Sequence, residues 1–202
     1  MRIGGAPTKQ ELFSATEPVI LSHPHIPKPL HGVNPRTIKG DTWWNIEREK
    51  AYVSTNYHCL ACGVLKSEAR HRPWLEAHEY FDIDYMKGTV TIKKIVPLCY
   101  TCHNFIHSGK LLMDYSKGNV SCSVATDILR HGLKILADNN LKCFPATLEI
   151  ADHFDIPYKV QPYSTKGASL GWLDWKLVFE GKEYKSPFKN FEEWERYYAS
   201  IR

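Results

Sequence analysis

The stretch PLCYTCHNFIHSG, residues 97–109, places two cysteines and two histidines close together. Cys99 and Cys102 form a CxxC pair, and an earlier CLACG turn supplies a second pair, Cys59 and Cys62. Two such pairs are typical of a tetrahedral zinc site, and the long segment between them allows a hairpin to leave one pair and return to the other. We therefore predict a structural zinc site, because four thiolates leave no coordination position for a substrate.

The alternative for these four cysteines is two unrelated redox-active or buried pairs. A hairpin between the pairs explains the long gap, and this disfavours the alternative. The remaining two cysteines, Cys122 and Cys143, stand alone in the sequence and are predicted to be ordinary thiols. In a reducing cytosol we do not expect the six cysteines to form disulfides.

Composition favours a folded chain and permits nucleic-acid binding. The sequence has 202 residues, of which 43% are hydrophobic and 12% aromatic, enough for one sizeable domain or two small ones. Lys and Arg total 26 against 22 for Asp and Glu, and the formal charge of +4 permits nucleic acid without implying it. Since no apolar run is long enough for a signal peptide or a membrane span, we predict a cytoplasmic protein without membrane contact.

The pattern along the chain predicts an α+β fold in four segments. Residues 1–40, rich in proline, are predicted to be an extended arm. Residues 41–118 are predicted to contain a helix, a cysteine knuckle, a hairpin, the second knuckle and a further helix. An amphipathic helix is expected within residues 119–140. Residues 141–202 are predicted to be a small accessory α+β region with two short strands and a terminal helix.

Two predicted helices bear on the site. WWNIEREKAYVSTN indicates a helix whose buried face is either that of Trp43 or that of Trp44. HNFIHSGKLLMDY, which starts at the second CxxC pair, predicts one continuous helix. On it His103 and His107 lie four residues apart, so one face presents both imidazoles to a shared ion. The alternative is that His107 is a surface residue and His103 only a hydrogen-bond partner of a zinc thiolate.

The first hairpin strand contains a third histidine. His78 and Glu79 occur in LEAHEYFDID, and a hairpin stacked on the helix brings them toward His103 and His107. Successive residues of a strand point to opposite faces. We therefore expect one of the two to bind the ion while the other orients it or acts as a base.

The order of CxxC, LEAHE, hairpin and IVPLCYTCHNFIHSG resembles the HNH endonucleases with an embedded zinc ribbon, members of the ββα-metal or His-Me finger superfamily. The resemblance covers residues 57–112. The stretch PLHGVNPRTIKGDTWWNIEREKAY is similar to what precedes such modules in phage-borne proteins. The resemblance implies a small ββα-metal core and a metal-dependent endonuclease acting on DNA, located in the host cytoplasm if phage-encoded.

The resemblance also implies roles by position. His78 matches the strand ligand, and His103 and His107 match the helix ligands, of a single catalytic Mg²⁺, Mn²⁺, Ni²⁺ or Zn²⁺ ion. Glu79 falls where the family usually has its general-base histidine, and Lys94 falls where it has a central asparagine. These departures from the family pattern are compatible with an unusual active site and also with an inactive one.

Positive charge around the hairpin is expected to contact the nucleic-acid backbone. The residues concerned are Lys87, Lys93, Lys94 and Lys110. The predicted function is hydrolysis of DNA phosphodiester bonds by one catalytic divalent ion, supported by a structural zinc. The alternative is a catalytically inactive zinc-ribbon module that binds nucleic acid or a protein. The sequence leaves a protein partner or a homodimer open.

Overall fold

The computed structural model describes residues 16–164 and 167–200. Within them the chain forms seven α-helices and a four-stranded mixed sheet, which confirms the predicted α+β class. None of these helices is long and apolar enough to cross a membrane. The helices are α1 (Pro35–Lys39), α2 (Asp41–Ser54), α3 (Tyr100–Ile106), α4 (Ser108–Ser116), α5 (Cys122–Asp138), α6 (Pro145–His153) and α7 (Phe191–Ser200). The strands are β1 (Leu75–Asp84), β2 (Thr89–Cys99), β3 (Lys176–Phe179) and β4 (Lys182–Lys185).

The described residues fall into two compact units. Unit 1 comprises the described part of Met1–His23 together with Arg48–His78 and Val96–Pro162. Unit 2 comprises Pro24–Glu47, Glu79–Ile95 and the described part of Tyr163–Arg202.

The proline-rich segment is not extended throughout. Pro18–Ser22 and Lys28–Leu30 form 3₁₀ helices, and α1 follows them. A proline stands at the first or second position of each of these elements, where its fixed φ suits a helix and its missing N–H is not needed. The prolines therefore begin short helices here. Residues 1–15 of the predicted arm lie outside the described residues.

The sheet combines the predicted hairpin with the two predicted tail strands. β1 and β2 are neighbours joined by residues 85–88, as predicted for a hairpin. β3 pairs in parallel with β2, with Thr89 opposite Lys176, and in antiparallel with β4. The β3–β4 turn uses positive φ at both Glu180 and Gly181, which suits the twist of a two-residue hairpin turn. A hydrophobic core cluster in unit 2 contains Leu30, Phe81, Val90, Leu177 and Phe179.

Unit 1 is built around α5. This helix buries Ile128, Leu129 and Leu136 and packs against α3, α4 and Pro18–Ser22. Its amphipathic character was predicted and is confirmed. Helix α6, which begins at a proline and packs against α4, was not predicted.

The prediction of one continuous helix after the second CxxC pair is wrong. α3 ends at Ile106 and α4 begins at Ser108, while His107 between them has φ −90° and ψ 41°. Backbone hydrogen bonds still continue, because the His107 amide donates to the His103 carbonyl at 3.1 Å. A serine followed by a glycine is a weak helix-forming pair, and kinks commonly occur at such pairs.

Burial decides between the two predicted faces of α2. Trp44 and Ala51 are only 8% and 6% exposed, whereas Ile46 and Val53 are 52% and 59% exposed. The Trp44 face is therefore the buried one.

Candidate metal centres

Four cysteines of unit 1 form the first cluster. Ligand sulfurs of Cys59, Cys62, Cys99 and Cys102 all lie within 4.8 Å of one another, and all four are free thiols. The Sγ atoms of Cys62 and Cys99 are 3.8 Å apart. Zn–S bonds of about 2.3 Å define a tetrahedron with edges of about 3.8 Å. The cluster therefore has the dimensions of a four-thiolate site that could bind a metal ion such as zinc.

A tight turn presents the first cysteine pair. The Cys59 amide donates to the Val64 carbonyl at 2.9 Å, and the Gly63 amide donates to the Cys59 carbonyl at 2.8 Å. Gly63 has a φ of 75°, a left-handed conformation that glycine adopts without strain. The Leu60 amide donates to the Pro97 carbonyl, which ties the turn to β2 just before the second pair. The turn ending in glycine agrees with the knuckle expected from CLACG.

The start of α3 presents the second pair. Cys99 caps the helix, and its sulfur accepts a hydrogen bond from the Cys102 amide at 3.4 Å. A helix N-terminus stabilises negative charge, so this position favours a thiolate.

The cysteine thiols influence one another's ionisation. Burial raises the pKa of Cys59, but hydrogen bonds from Cys102, Cys62 and Cys99 lower it well below its usual value. Hydrogen bonds with the other thiols and burial raise the pKa of Cys102 well above its usual value. One thiol therefore ionises readily, and a bound cation favours loss of the remaining protons. The imidazole Nε2 of His131, which the sequence did not single out, lies 3.6 Å from the Cys102 sulfur.

Three histidines of unit 1 form the second cluster. His78 lies on β1, His103 on α3 and His107 at the α3–α4 junction. One ring nitrogen of each lies within 4.8 Å of the others, and Nδ1 of His78 is 3.2 Å from Nε2 of His107. Zn–N bonds of 2.0–2.1 Å give tetrahedral edges of about 3.3 Å. The structure thus brings together the three histidines that the sequence proposed as ligands.

A carboxylate orients one of these histidines. Glu76 contacts Nδ1 of His103, and the indole Nε1 of Trp74 donates to Glu76 at 3.3 Å. Burial raises the pKa of Glu76, but the hydrogen bond and charge of His103 lower it to below its usual value overall. Because Nδ1 is engaged with the carboxylate, Nε2 of His103 is the nitrogen left for an ion, an arrangement common around bound metals.

The sequence pattern indicated Glu79 as a candidate site residue and did not indicate Glu76. Among the described residues, Glu79 does not belong to the cluster formed by His78, His103 and His107. Glu76 lies two residues before His78 and therefore on the same face of the strand, whereas Glu79 directly follows it. Strand alternation was the signal that could have identified Glu76.

A fourth histidine lies against His78. Nδ1 of His23 is 3.0 Å from Nε2 of His78, and the two rings meet edge to face. His23 and His78 are 5% and 2% exposed. Burial, followed by the charges of His107, His103 and His23, lowers the pKa of His78 well below its usual value, which favours the neutral ring that binds metals. Nothing in the sequence near His23 indicated this contact.

The lysines predicted to contact nucleic acid do not share one unit. Lys87, Lys93 and Lys94 belong to unit 2, and Lys110 belongs to unit 1. Each lies beside another side chain, which partly offsets the charge of three of them. Lys87 lies beside Asp84, Lys93 beside Asp82 and Lys110 beside Asp114. Lys94 lies over the Tyr80 ring.

Comparisons of the chain with protein-family models, with curated proteins and with solved structures find no match. The class of the protein is described by its fold and its two clusters. It is an α+β protein in which a four-cysteine cluster and a three-histidine cluster lie in one unit.

Proposed function

We propose that the chain is a metal-dependent endonuclease of the HNH type that hydrolyses DNA phosphodiester bonds. The observation that carries the proposal is the convergence of His78 from β1, His103 from α3 and His107 from the α3–α4 junction, in the unit that also holds the four-cysteine cluster. This is the set of residues on which the resemblance to the HNH endonucleases rests.

The two clusters have different tasks in this proposal. The four cysteines hold a structural zinc that fixes the first turn, the end of β2 and the start of α3. Four thiolates fill a tetrahedral shell, whereas three imidazoles leave coordination positions open. Only the histidine cluster is suited to an ion that meets a substrate.

Phosphodiester hydrolysis requires an activated water and positive charge for the phosphate and leaving-group oxygens. A divalent cation at the histidine cluster supplies both, as a Lewis acid that also acidifies water. His78, His103 and His107 hold the cation, and Glu76 fixes the ring of His103. Glu79 has no role in this proposal.

Arg72 contributes charge toward the phosphate backbone. Its guanidinium lies 5.0 Å from the ring centroid of Trp74 and 4.8 Å from that of Tyr100, while the residue itself is exposed. Trp74 also donates to Glu76, which links this stacked arginine to the histidine cluster. A guanidinium held between rings is well placed to bind phosphate oxygens.

Plasmid cleavage tests the proposal. Supercoiled plasmid is incubated with the full chain and Mg²⁺, Mn²⁺, Ni²⁺ or Zn²⁺, and nicked product is measured. We expect nicking that requires an added ion and falls by more than roughly 100-fold in His107→Ala. His153→Ala, which removes an exposed histidine of α6, serves as the matched control and keeps activity. Equal nicking by His107→Ala and the wild type, or intact plasmid with every ion, contradicts the proposal.

A second candidate is a zinc-ribbon module that binds nucleic acid without cutting it. It is favoured by Glu79, which replaces the usual base histidine and does not join the cluster, and by Lys94 at the position of the usual asparagine. This candidate predicts DNA binding that weakens steeply with salt and no product with any ion. Slow, ion-dependent nicking together with retained binding supports the nuclease instead.

A further inference from the structure

The segment containing His23 is fixed in place within unit 1. Ile20 and Leu21 are buried, and Pro18–Ser22 packs against α3 and α5. The Glu17 amide donates to the Leu60 carbonyl at 2.7 Å, and the Ser22 hydroxyl donates to the Lys142 carbonyl at 2.6 Å. His23 therefore contacts His78 from a segment that is hydrogen-bonded both to the Cys59–Cys62 turn and to the loop after α5.

The two nitrogens of His78 face different neighbours. Nδ1 points toward His107, at 3.2 Å from its Nε2, and thus toward the histidine cluster. Nε2 points toward His23, at 3.0 Å from its Nδ1. A neutral imidazole carries one N–H and one lone pair, and coordination of an ion uses the lone pair. If Nδ1 is the ligand atom, the proton of His78 must lie on Nε2.

We propose that His23 is a positioning residue that accepts the Nε2–H of His78 and so directs the His78 Nδ1 lone pair to the ion. In the opposite pair of tautomers, His23 donates its Nδ1–H to Nε2 of His78. The hydrogen of His78 then lies on its Nδ1 and blocks coordination of an ion by that nitrogen. Because both side chains are buried, bulk water does not readily reach Nε2 of His78 to accept its hydrogen in place of His23. The inference rests on the three-histidine ion site of the proposed function but not on nuclease activity.

The structure assigns this role to the N-terminal segment, outside residues 57–112 that carry the resemblance. Glu76 and His23 then act in parallel: the carboxylate orients His103 and the fourth histidine orients His78. Supporting groups of this kind affect metal affinity by roughly 10- to 100-fold.

Metal affinity of variants provides the first test. The full chain, with zinc retained at the cysteines, is titrated with Zn²⁺ or Co²⁺ in competition with a chelator. We expect His23→Phe, which keeps a ring but removes the acceptor, to bind the second ion roughly 10- to 100-fold more weakly. His23→Asn, which keeps an acceptor near the position of Nδ1, restores affinity to within about threefold. His153→Phe is the matched control and binds as the wild type does.

The ring protons of the wild type provide the second test, which does not depend on any variant folding. Long-range ¹H–¹⁵N spectra of zinc-loaded protein with labelled histidine report which ring nitrogen carries hydrogen. We expect His78 with hydrogen on Nε2 and the metal on Nδ1. A His78 ring with hydrogen on Nδ1, or a His23→Phe variant with wild-type affinity, overturns the inference.

These outcomes are distinguishable from failure of the nuclease proposal. A second ion bound with the expected His78 tautomer, but no plasmid cleavage, overturns the function and leaves the role of His23 standing. Normal cleavage with the opposite tautomer overturns only the role of His23.

Discussion

Glu76 and Glu79 show how one strand separates two chemically identical side chains. Glu76 shares a face of β1 with His78 and contacts His103, whereas Glu79 follows His78 directly and does not belong to the histidine cluster. The carboxylate of Glu76 contacts Nδ1 of His103, and such a contact would hold the ring hydrogen on Nδ1 and leave Nε2 for an ion. Removing the charge at one position or the other should therefore have unequal effects.

Glu76→Gln is expected to lower the affinity for the second ion and the nicking rate by roughly 10- to 100-fold, because the amide lacks the negative charge that supports His103. Glu79→Gln, the same change on the opposite face, is expected to stay within about threefold of the wild type. Chelator competition and plasmid nicking measure the two effects. A larger loss in Glu79→Gln than in Glu76→Gln would return Glu79 to the base role that the resemblance implies.

The two isolated cysteines should differ in reactivity. Burial raises the pKa of Cys143 to about 12, whereas Cys122 is exposed at the start of α5. Since only the thiolate reacts, Cys143 should remain unreactive until the pH approaches its raised pKa. We expect native, zinc-loaded protein at pH 8 to show one fast thiol, lost in Cys122→Ser, and six thiols after chelation in denaturant. Fast modification of Cys143 at pH 8 would contradict its burial.

Residue spacing predicted the candidate ligands but not their supports. CxxC pairs and the His103–His107 spacing are local patterns, so four cysteines and two histidines were accessible from them, and the predicted hairpin added His78. Glu76 was also accessible, through strand alternation. His23 was not, because its contact with His78 joins distant parts of the chain without any local periodicity.

The α3–α5 contact is the element-level feature that supports both clusters, because α3 carries Cys102 and His103. Gly132 of α5 lies against the Phe105 ring of α3, and a Cβ added at Gly132 would lie 2.3 Å from that ring. Phe105 is fully buried, so the ring has little room to move.

Gly132→Ala is therefore expected to destabilise the protein by about 1–3 kcal/mol, although alanine is the better helix former. Arg130→Ala, at an exposed position of the same helix, is the control and should change stability by less than about 0.5 kcal/mol. Thermal or denaturant unfolding of the zinc-loaded protein measures both. A more stable Gly132→Ala variant would show that α3 and α5 are not packed this closely.

Elements with strong local signals were predicted, and those that depend on distant partners were not. The β1–β2 hairpin, α5 and the β3–β4 hairpin follow from periodicity and turn residues. The parallel pairing of β3 with β2 joins residues far apart in the chain and leaves no local pattern. The break at His107 depends on a weak Ser–Gly signal within an otherwise helical pattern.

At the scale of the whole molecule, the cysteine cluster is expected to support folding and the histidine cluster is not. The four cysteines connect the turn that contains Cys59 and Cys62 with the β2–α3 junction. Cys99→Ser should lower stability by at least roughly 5 kcal/mol, or about 10 °C in Tm. Cys122→Ser is the matched control. Equal melting of both variants in the presence of zinc would exclude a structural metal at the cysteines.

The most direct measurement combines metal content with plasmid cleavage on the same preparations of the wild type and of a His103→Ala, His107→Ala double variant. We expect the wild type to retain one zinc through dialysis, to bind a second ion when it is added and to nick plasmid only then. The double variant should retain the zinc, bind no second ion and leave plasmid intact. A double variant that nicks at the wild-type rate, or that still binds the second ion equally well, would contradict an ion-dependent site at the three histidines.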